Sequence, residues 1–308
     1  MQTTADAPLP ESTDNATATR MLPGVRALAP DCDGLVLDQW GVLHDGRQAL
    51  PGALDCLARL RAAGKHIVIV SNSGRSGAVN AALMERFGVT AHDYDALVTA
   101  GDAAREALLA RDDDFHRALG RRAYVLARDE DHGIAETFGL ETVDTIDAAD
   151  LVLVLSWTPG HRTVGDYESM LRDALARRLP MVCGNPDVTT PSGDHLVEAV
   201  GAIAKRYESM GGAVRFHGKP YPGIYAMGLA ALASRGVDAR RVVAVGDSIA
   251  HDVVGARGAG LRSALVAGGI HRDALGITPG ELPGAARWAR FAREAEALPD
   301  YVVATFAW

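Results

Sequence analysis

The sequence predicts an α/β protein in which a doubly wound parallel sheet carries an inserted second α/β unit. Two observations support this fold class. Short apolar runs alternate with helical patterns toward both ends of the chain, and the middle of the chain interrupts that alternation with strands and helices of its own. Alternating strands and helices form βαβ units, whose crossover connections make the strands parallel.

The predicted strands are short, continuous aliphatic runs bounded by Gly, Asp or Ser. They are LVL at 35–37, HIVIV at 66–70, ADLVLVL at 149–155 and RVVAVG at 241–246. Runs without apolar and polar alternation are typical of strands covered on both faces. A last strand is expected in the C-terminal PDYVVATFAW, with Trp308 packed against the fold.

Helical patterns separate these runs. The first opens with Pro-Gly, carries Leu54, Leu57 and Leu60 on one face and stops at Gly64, as expected for a helix with a glycine after its last turn. Helices are predicted at 51–64, 76–88 and 222–236.

The break in the alternation predicts two domains. We expect a Rossmann-like core made of residues 22–99 and 213–308, with an inserted α/β cap at residues 100–212. Residues 1–21 are small and polar and contain proline, so we expect them to be disordered.

The composition excludes several classes of protein. The 308 residues are 48% hydrophobic and 23% charged, and the formal net charge of −8 argues against a nucleic-acid surface or an anionic membrane partner. No apolar run reaches the length of a membrane span, and the first twenty residues lack the apolar region of a secretory signal. Three widely spaced cysteines indicate reduced thiols and a cytoplasmic protein.

Polar side chains follow the predicted core strands, at the carboxyl ends where an open parallel sheet binds its ligand. Three carboxylates, a Ser-Asn-Ser cluster and a lysine come together there: Asp38, Ser71, Asn72, Ser73, Lys219, Asp247 and Asp252.

This set of side chains suits phosphoryl transfer. A carboxylate such as Asp38 can attack a phosphoryl group, and Asp38 beside Asp247 implies a hard, oxygen-liganded cation such as Mg²⁺ between the two charges. Ser71, Asn72 and the amides of the next helix start suit phosphate oxygens. Lys219 can neutralise the nucleophile and the transferred group.

Four segments of the chain also resemble the motifs of a known family. They are DQWGVLHDGRQALPGA, VSNSGRS, HGKPYPGIY and VAVGDSIAHDVVGARGAG, and together they resemble the haloacid dehalogenase-like (HAD) hydrolases, in particular the class IIA branch of p-nitrophenyl phosphatase-like and sugar phosphatase-like enzymes. The resemblance covers residues 30–270, with an insertion where this branch carries its cap.

The resemblance implies a role for each motif residue. Asp38 is the nucleophile and a metal ligand, Lys219 stabilises the phosphate, and Ser71 and Asn72 bind it. Asp247 is a ligand of Mg²⁺ and Asp252 supports the metal site. The remaining protein ligand is the backbone carbonyl of Trp40. The resemblance also implies a cap that closes over a small phosphorylated substrate, and a homodimer is expected because caps of this branch commonly contribute to dimers.

Trp40 departs from the family pattern, because the family carries an acidic residue at this position to protonate the leaving group. Three interpretations stay open: a phosphatase for substrates such as sugar, aryl or acyl phosphates, with another proton donor or a good leaving group; a weakly active or inactive phosphometabolite-binding protein; and a dehalogenase-type hydrolase. The third conflicts with Asp247 and Asp252, since halide displacement needs no magnesium.

A second D-x-D-G match, DCDG at 31–34, is an alternative start of the site. Pro30 and a poor strand pattern precede it, so Asp38 is the predicted nucleophile.

Other polar residues are candidates of lower rank. His44 or Asp45, in the loop after the nucleophile, could replace the missing general acid, since histidine suits proton transfer at neutral pH. In the cap, the turn-rich segment 184–195 contains Asp187 and His195, which are candidate substrate contacts. The alternative for all four is an ordinary surface loop or turn.

Overall fold

The computed structural model describes residues 19–128, 134–158, 162–192 and 195–308. Strands and helices are numbered in chain order. The strands of the larger sheet are β1 (Arg20–Leu22), β2 (Gly34–Leu37), β3 (His66–Ser71), β4 (Ala96–Thr99), β12 (Val242–Gly246), β13 (Arg262–Val266) and β14 (Tyr301–Val303). They lie in the order β1-β14-β13-β12-β2-β3-β4 and all pair in parallel.

The middle of the chain forms a second, smaller parallel sheet. Its strands are β5 (Arg122–Leu126), β6 (Glu141–Thr142), β7 (Leu151–Val154), β8 (Met181–Cys183) and β11 (Val214–Phe216), in the order β11-β8-β7-β5-β6. A separate antiparallel hairpin joins β9 (Thr189–Ser192) and β10 (His195–Glu198). The two parallel sheets confirm the predicted α/β fold class.

Helices connect the strands of both sheets. They are α1 (Ala53–Ala62), α2 (Gly77–Glu85), α3 (Ala100–Ala110), α4 (Asp114–Ala118), α5 (Ile134–Thr137), α6 (Glu168–Ala176), α7 (Gly201–Ser209), α8 (Pro222–Ala233), α9 (Val254–Gly258), α10 (Arg272–Leu275) and α11 (Ala285–Glu294). A π-helical turn, Ile249–Val253, leads into α9. No helix of the described residues is long and apolar enough to cross a bilayer.

Apolar side chains cover both faces of each parallel sheet. In the larger sheet, Leu35 and Leu37 of β2 point to one buried cluster and Val36 to another. Two further clusters cover the two faces of the smaller sheet. This double coverage explains why the strands read as continuous apolar runs.

Three sequence-based boundaries are wrong. Arg20 and Met21 are not disordered, because they pair with β14 at the edge of the larger sheet; residues 1–18 lie outside the described residues. Strand β11 belongs to the smaller sheet, so the inserted unit extends to Phe216 rather than ending at residue 212. The segment 184–195 is not a loop throughout, since residues 189–192 form β9.

Helix α3 contacts both halves of the fold. Ala100 and Ala103 pack in a cluster of the larger sheet, whereas Ala104 and Leu108 pack in a cluster of the smaller one. The two sheets are therefore joined through a shared helix as well as through the chain connections.

The strand order determines which loops meet. Strands β12 and β3 flank β2, with Leu37 opposite both Val245 and Ile69, and the amide of Asp38 donates to the carbonyl of Val245 at 2.9 Å. The residues that follow β2, β3 and β12 therefore converge at one edge of the sheet.

The DCDG segment lies before β2, at the opposite end of that strand. Asp33 forms ion pairs with Arg241 at 3.0 Å and Lys65 at 3.8 Å, and Asp31 pairs with Arg20 at 3.4 Å. These carboxylates stabilise the amino-terminal edge of the sheet.

Candidate active site

Three carboxylates and a lysine meet at the carboxyl edge of the larger sheet. One carboxylate oxygen from each of Asp38, Asp247 and Asp252 lies within 4.8 Å of the others. The Lys219 Nζ atom lies 2.6 Å from Asp38 Oδ1 and 2.7 Å from Asp252 Oδ1. This convergence is the one predicted from the carboxyl ends of the strands, although Lys219 comes from a loop outside the sheet.

Backbone amides orient two of the carboxylates. The amide of Ile270 donates to Asp247 Oδ2 at 2.9 Å, and the amide of Ser248 donates to Asp252 Oδ2 at 3.1 Å. The peptide after Trp40 also packs tightly on this cluster. Gly41 has a φ of +74°, and a Cβ there would come within 2.0 Å of Asp247 Oδ2, so the chain needs glycine to pass this close.

Burial and neighbouring charges both change the pKa values of these groups. It raises the pKa of Asp38 to about 7, although Lys219 opposes the change. Burial and the charges of Asp38 and Asp252 raise the pKa of Asp247 well above its usual range. Burial alone would lower the pKa of Lys219, but Asp252 and Asp38 outweigh it and raise that pKa. Two buried carboxylates and Asp38, whose side chain is 13% exposed, carry excess negative charge beside one ammonium, which fits a divalent cation with oxygen ligands.

The loop after β3 forms a cluster of hydroxyl and amide groups next to Asp38. Ser71 Oγ accepts from Gln39 Nε2 at 2.7 Å and from the amide of Ser73 at 3.1 Å. Ser73 Oγ accepts from Asn80 Nδ2 at 3.1 Å and from the amide of Arg75 at 3.3 Å. Gln39 and Asn80 were missed in the sequence analysis, because nothing in their local patterns distinguishes them.

The side-chain amide of Asn72 has protein partners for its oxygen and for both of its hydrogens. Its Oδ1 accepts from the Lys219 amide at 2.6 Å, and its Nδ2 donates to the Lys219 carbonyl at 3.1 Å and to Asp187 Oδ1 at 2.7 Å. The Asn72 side chain therefore holds the backbone of Lys219 and joins it to the smaller unit. Its expected role as a side-chain phosphate ligand does not fit these contacts.

The smaller unit covers the carboxylate cluster. A cavity of about 330 Å³ lies between the two units and is lined by residues of both, among them Asp38, Ser71, Trp157, Asp187, Thr190 and Lys219. The loop after β3 approaches the smaller sheet closely, since a Cβ at Gly74 would lie 2.0 Å from the carbonyl oxygen of Leu155. Both units therefore shape the space above Asp38.

Asp187 lies at the junction of the two units, as expected for a residue that faces the cavity. Besides accepting from Asn72, its Oδ1 lies 3.7 Å from His251 Nδ1. Trp40 also lines the cavity, with its ring 5.4 Å from that of His44. The side chain of His195 lies outside the described part of the structure.

The two candidates for a replacement acid have structural contacts instead. Asp45 Oδ1 accepts from the amides of Arg47 at 2.8 Å and Gln48 at 2.9 Å, which closes an exposed turn. His44 is buried, and its Nδ1 accepts from the amide of Gly46 at 3.0 Å. Burial lowers the pKa of His44 to about 4, so the ring is neutral near pH 7 and is a poor general acid.

The buried His44 predicts an acid-sensitive fold. The pKa of His44 is about 4 in the folded state, below the ordinary value of 6.5, so the unfolded chain binds more protons between these values. The contribution of the neutral His44 ring to the free energy of unfolding is fully present above pH 6.5. It falls by roughly 3 kcal/mol as the pH decreases toward 4. We expect urea unfolding at pH 7 and pH 4.5 to show that the free energy of unfolding decreases less between these two pH values in His44→Gln than in the wild type.

Two other histidines serve as comparisons for His44 in this measurement. Burial also lowers the pKa of His217 to about 4, so His44→Gln should keep part of the acid sensitivity. His92 is exposed, and His92→Gln should behave as the wild type does. Equal acid sensitivity in His44→Gln and His92→Gln would contradict the conclusion that the buried His44 makes the fold sensitive to acid.

Comparison with known proteins agrees with this geometry. A family model described as haloacid dehalogenase-like hydrolase matches residues 35–141, and a HAD-hydrolase-like model matches residues 216–307. A D-glycerol 3-phosphate phosphatase of Mycobacterium tuberculosis is 30% identical over 266 residues, which cover 84% of this chain and 70% of that protein. The chain belongs to the haloacid dehalogenase-like hydrolases.

Solved structures of other HAD-like hydrolases share the fold. A haloacid dehalogenase-like hydrolase from Brucella suis aligns with a TM-score of 0.76 at 30% identity, over 92% of this chain and 99% of that one. A glycerol phosphate phosphatase from Mycobacterium tuberculosis, in complex with magnesium, aligns with a TM-score of 0.61 at 28% identity, over 82% of this chain and 73% of that one. The structural neighbours are class IIA phosphatases, which confirms the branch that the motifs resemble.

Proposed function

We propose that this HAD-like hydrolase is a Mg²⁺-dependent phosphatase of small phosphorylated metabolites that acts through an aspartyl-phosphate. One observation carries the proposal: Asp38 lies in contact with Lys219, beside two further carboxylates and next to a cluster of hydroxyl groups, in a cavity lined by both units. Nucleophile, cation site and phosphate cradle are the parts that phosphoryl transfer requires.

The residues present fit a resident Mg²⁺ ion. Asp38, Asp247 and the backbone carbonyl of Trp40 would hold it, with Asp252 supporting its bound waters. A carbonyl ligand does not depend on the side chain, so tryptophan at position 40 is compatible with the site. When bound, the ion would offset the carboxylate charges and polarise a phosphoryl oxygen.

The chain's own residues account for the two chemical steps. The Asp38 carboxylate attacks phosphorus, the bond from phosphorus to the leaving oxygen breaks, and the leaving group departs with its electron pair. Lys219 and the serine cluster offset the charge on the phosphoryl oxygens. Water then attacks phosphorus in the aspartyl-phosphate, the bond from phosphorus to the Asp38 oxygen breaks, and the protons of the water leave with the released phosphate as the Asp38 carboxylate is restored.

Trp40 restricts the class of substrate. Its side chain cannot supply a proton, and His44 is neutral near pH 7, so departure of an alkoxide would be slow. Aryl and acyl phosphates leave without protonation and are therefore the first substrates to test. Relatives named D-glycerol 3-phosphate phosphatase and dihydroxyacetone phosphatase make small three-carbon phosphates the second set.

Metal removal tests the proposed chemistry. We expect phosphate release from p-nitrophenyl phosphate and acetyl phosphate with Mg²⁺, loss of release after EDTA treatment, and recovery when Mg²⁺ is added in excess. Phosphate release that persists in EDTA would contradict the proposal.

A second candidate is a phosphometabolite-binding protein with little turnover, which the loss of the acidic residue at position 40 favours. The same experiment separates the two. Mg²⁺-dependent binding of phosphate or beryllium fluoride by calorimetry, without turnover of either substrate, would favour the binding protein.

The smaller unit is proposed to be a cap that excludes water and selects the substrate. Contacts between Asn72 and Asp187, and between Gly74 and Leu155, support this role because they hold the unit above the nucleophile. The homodimer stays a prediction, which light scattering coupled to size exclusion would test.

A further inference from the structure

We propose that Gln39 is a positioning residue that makes the Ser71 hydroxyl group a dedicated donor to a phosphoryl oxygen. The inference rests on the proposed function, because it concerns how the same site binds phosphate. It is carried by the direction of the hydrogen bonds around Ser71, and the general phosphate-binding role of the loop does not by itself imply it.

The acceptor positions of Ser71 are already filled. A serine hydroxyl has two acceptor positions and one proton to donate. Gln39 Nε2, at 2.7 Å, and the amide of Ser73, at 3.1 Å, both donate to Ser71 Oγ, and no described group accepts from it. Ser71 is 3% exposed and lines the cavity, so its proton is directed to whatever occupies that space.

Asn80 determines which end of the Gln39 amide faces Ser71. Asn80 Nδ2 donates to Ser73 Oγ at 3.1 Å and to the carbonyl of Ser76 at 3.0 Å, which turns its Oδ1 toward Gln39. Gln39 Nε2 donates to that oxygen at 3.3 Å and to Ser71 with its other hydrogen. Rotating the Gln39 amide by 180° would place its carbonyl oxygen against Asn80 Oδ1. Nε2 is therefore the Gln39 atom that faces Ser71.

The fixed orientation has a cost elsewhere. Gln39 Oε1 is buried without a partner among the described residues, and an unpaired buried acceptor is unfavourable. The direction of the Gln39 amide is therefore set by the bonds of its Nε2 to Ser71 and Asn80.

Ser73 repeats the same arrangement. Its Oγ accepts from Asn80 Nδ2 and from the amide of Arg75, and no described group accepts from its hydroxyl. Both serine protons are thus free to donate, and neither serine oxygen is free to accept. Such a cradle matches a fully ionised phosphoryl group, which offers acceptors only.

A double-mutant cycle on the full chain tests the role of Gln39. Calorimetric titration of inorganic phosphate, with saturating Mg²⁺, would compare the wild type with Ser71→Ala, Gln39→Leu and the double variant. We expect each single variant to bind phosphate about 10-fold more weakly, as for one lost bond to an anion, and the double variant to bind no more weakly than Ser71→Ala. Such non-additivity is expected if Gln39 acts only through Ser71.

Controls separate positioning from folding. Thermal unfolding would be measured for every variant, and Gln39→Met, which keeps the length of the side chain without its donor, should reproduce the loss seen in Gln39→Leu. Additive losses in the double variant, or phosphate binding in Gln39→Leu equal to the wild type, would overturn the proposal.

Different results would contradict the proposed function and the role of Gln39. A wild type that neither binds phosphate with Mg²⁺ nor releases it from p-nitrophenyl phosphate contradicts the proposed function itself. A wild type that does both, beside a Gln39→Leu variant with unchanged phosphate affinity, contradicts only the role of Gln39.

Discussion

Replacing Asp38 with asparagine is expected to lower kcat for p-nitrophenyl phosphate by at least about a thousand-fold. The amide is nearly isosteric with the carboxylate, so it fits the same space beside Lys219. It lacks the negative charge needed for attack on phosphorus. It also replaces a charged oxygen ligand of the proposed metal site with a neutral one, and the apparent affinity for Mg²⁺ should fall in the same variant.

The surroundings of Asp38 explain why the effect should be large. Its Oδ1 lies 2.6 Å from Lys219 Nζ, and burial raises its pKa to about 7, so the fold holds this carboxylate in an environment that resists its charge. Such strained placement of a buried charged group is typical of reacting groups.

Asp33 provides a matched control for this substitution. It precedes the strand that Asp38 follows, and it pairs with Arg241 and Lys65 at the opposite edge of the sheet. Asp33→Asn should keep the turnover of the wild type. Equal turnover in Asp38→Asn and the wild type, or a comparable loss in Asp33→Asn, would show that the nucleophile is misassigned.

The sequence predicts the central part of the site because parallel strands converge at their carboxyl ends. Asp38 and Asp247 each follow an apolar run, and those runs form neighbouring strands of one sheet, with Leu37 opposite Val245. Lys219 was predicted because it precedes a helix in a segment that resembles a family motif. The ends of the apolar runs and the family motifs were sufficient to predict that these residues lie together.

Contacts between distant segments could not be predicted in the same way. Asn72 bonds to Asp187 across two units, and Asn80 meets Gln39 only because α2 packs beside the loop after β2. The pairing of β11 with β8 in the smaller sheet is likewise a contact between separate segments of the chain. Apolar periodicity defines elements, but it does not define which polar side chains meet when those elements pack.

In the proposed function, the side chain of residue 40 determines whether poor leaving groups can depart. The half-buried ring of Trp40 lines the same cavity as Asp38 and packs against the turn at Gly46, where a Cβ would lie 2.2 Å from the ring. In the proposed function, this ring replaces the acidic side chain that would protonate the leaving group. Substitution at this position changes the side chain and keeps the proposed carbonyl ligand.

Trp40→Asp is expected to raise kcat for glycerol 3-phosphate by about 100-fold, the lower end of what a positioned general acid contributes, and to change kcat for p-nitrophenyl phosphate far less. An alkoxide needs a proton in order to leave, whereas p-nitrophenolate does not. Trp40→Asn is the matched control, because it removes the same ring and offers no acid. Thermal unfolding of both variants would measure the stability that is lost with the packing of the ring. An unchanged ratio of the two substrates in Trp40→Asp would show that residue 40 does not reach the leaving group.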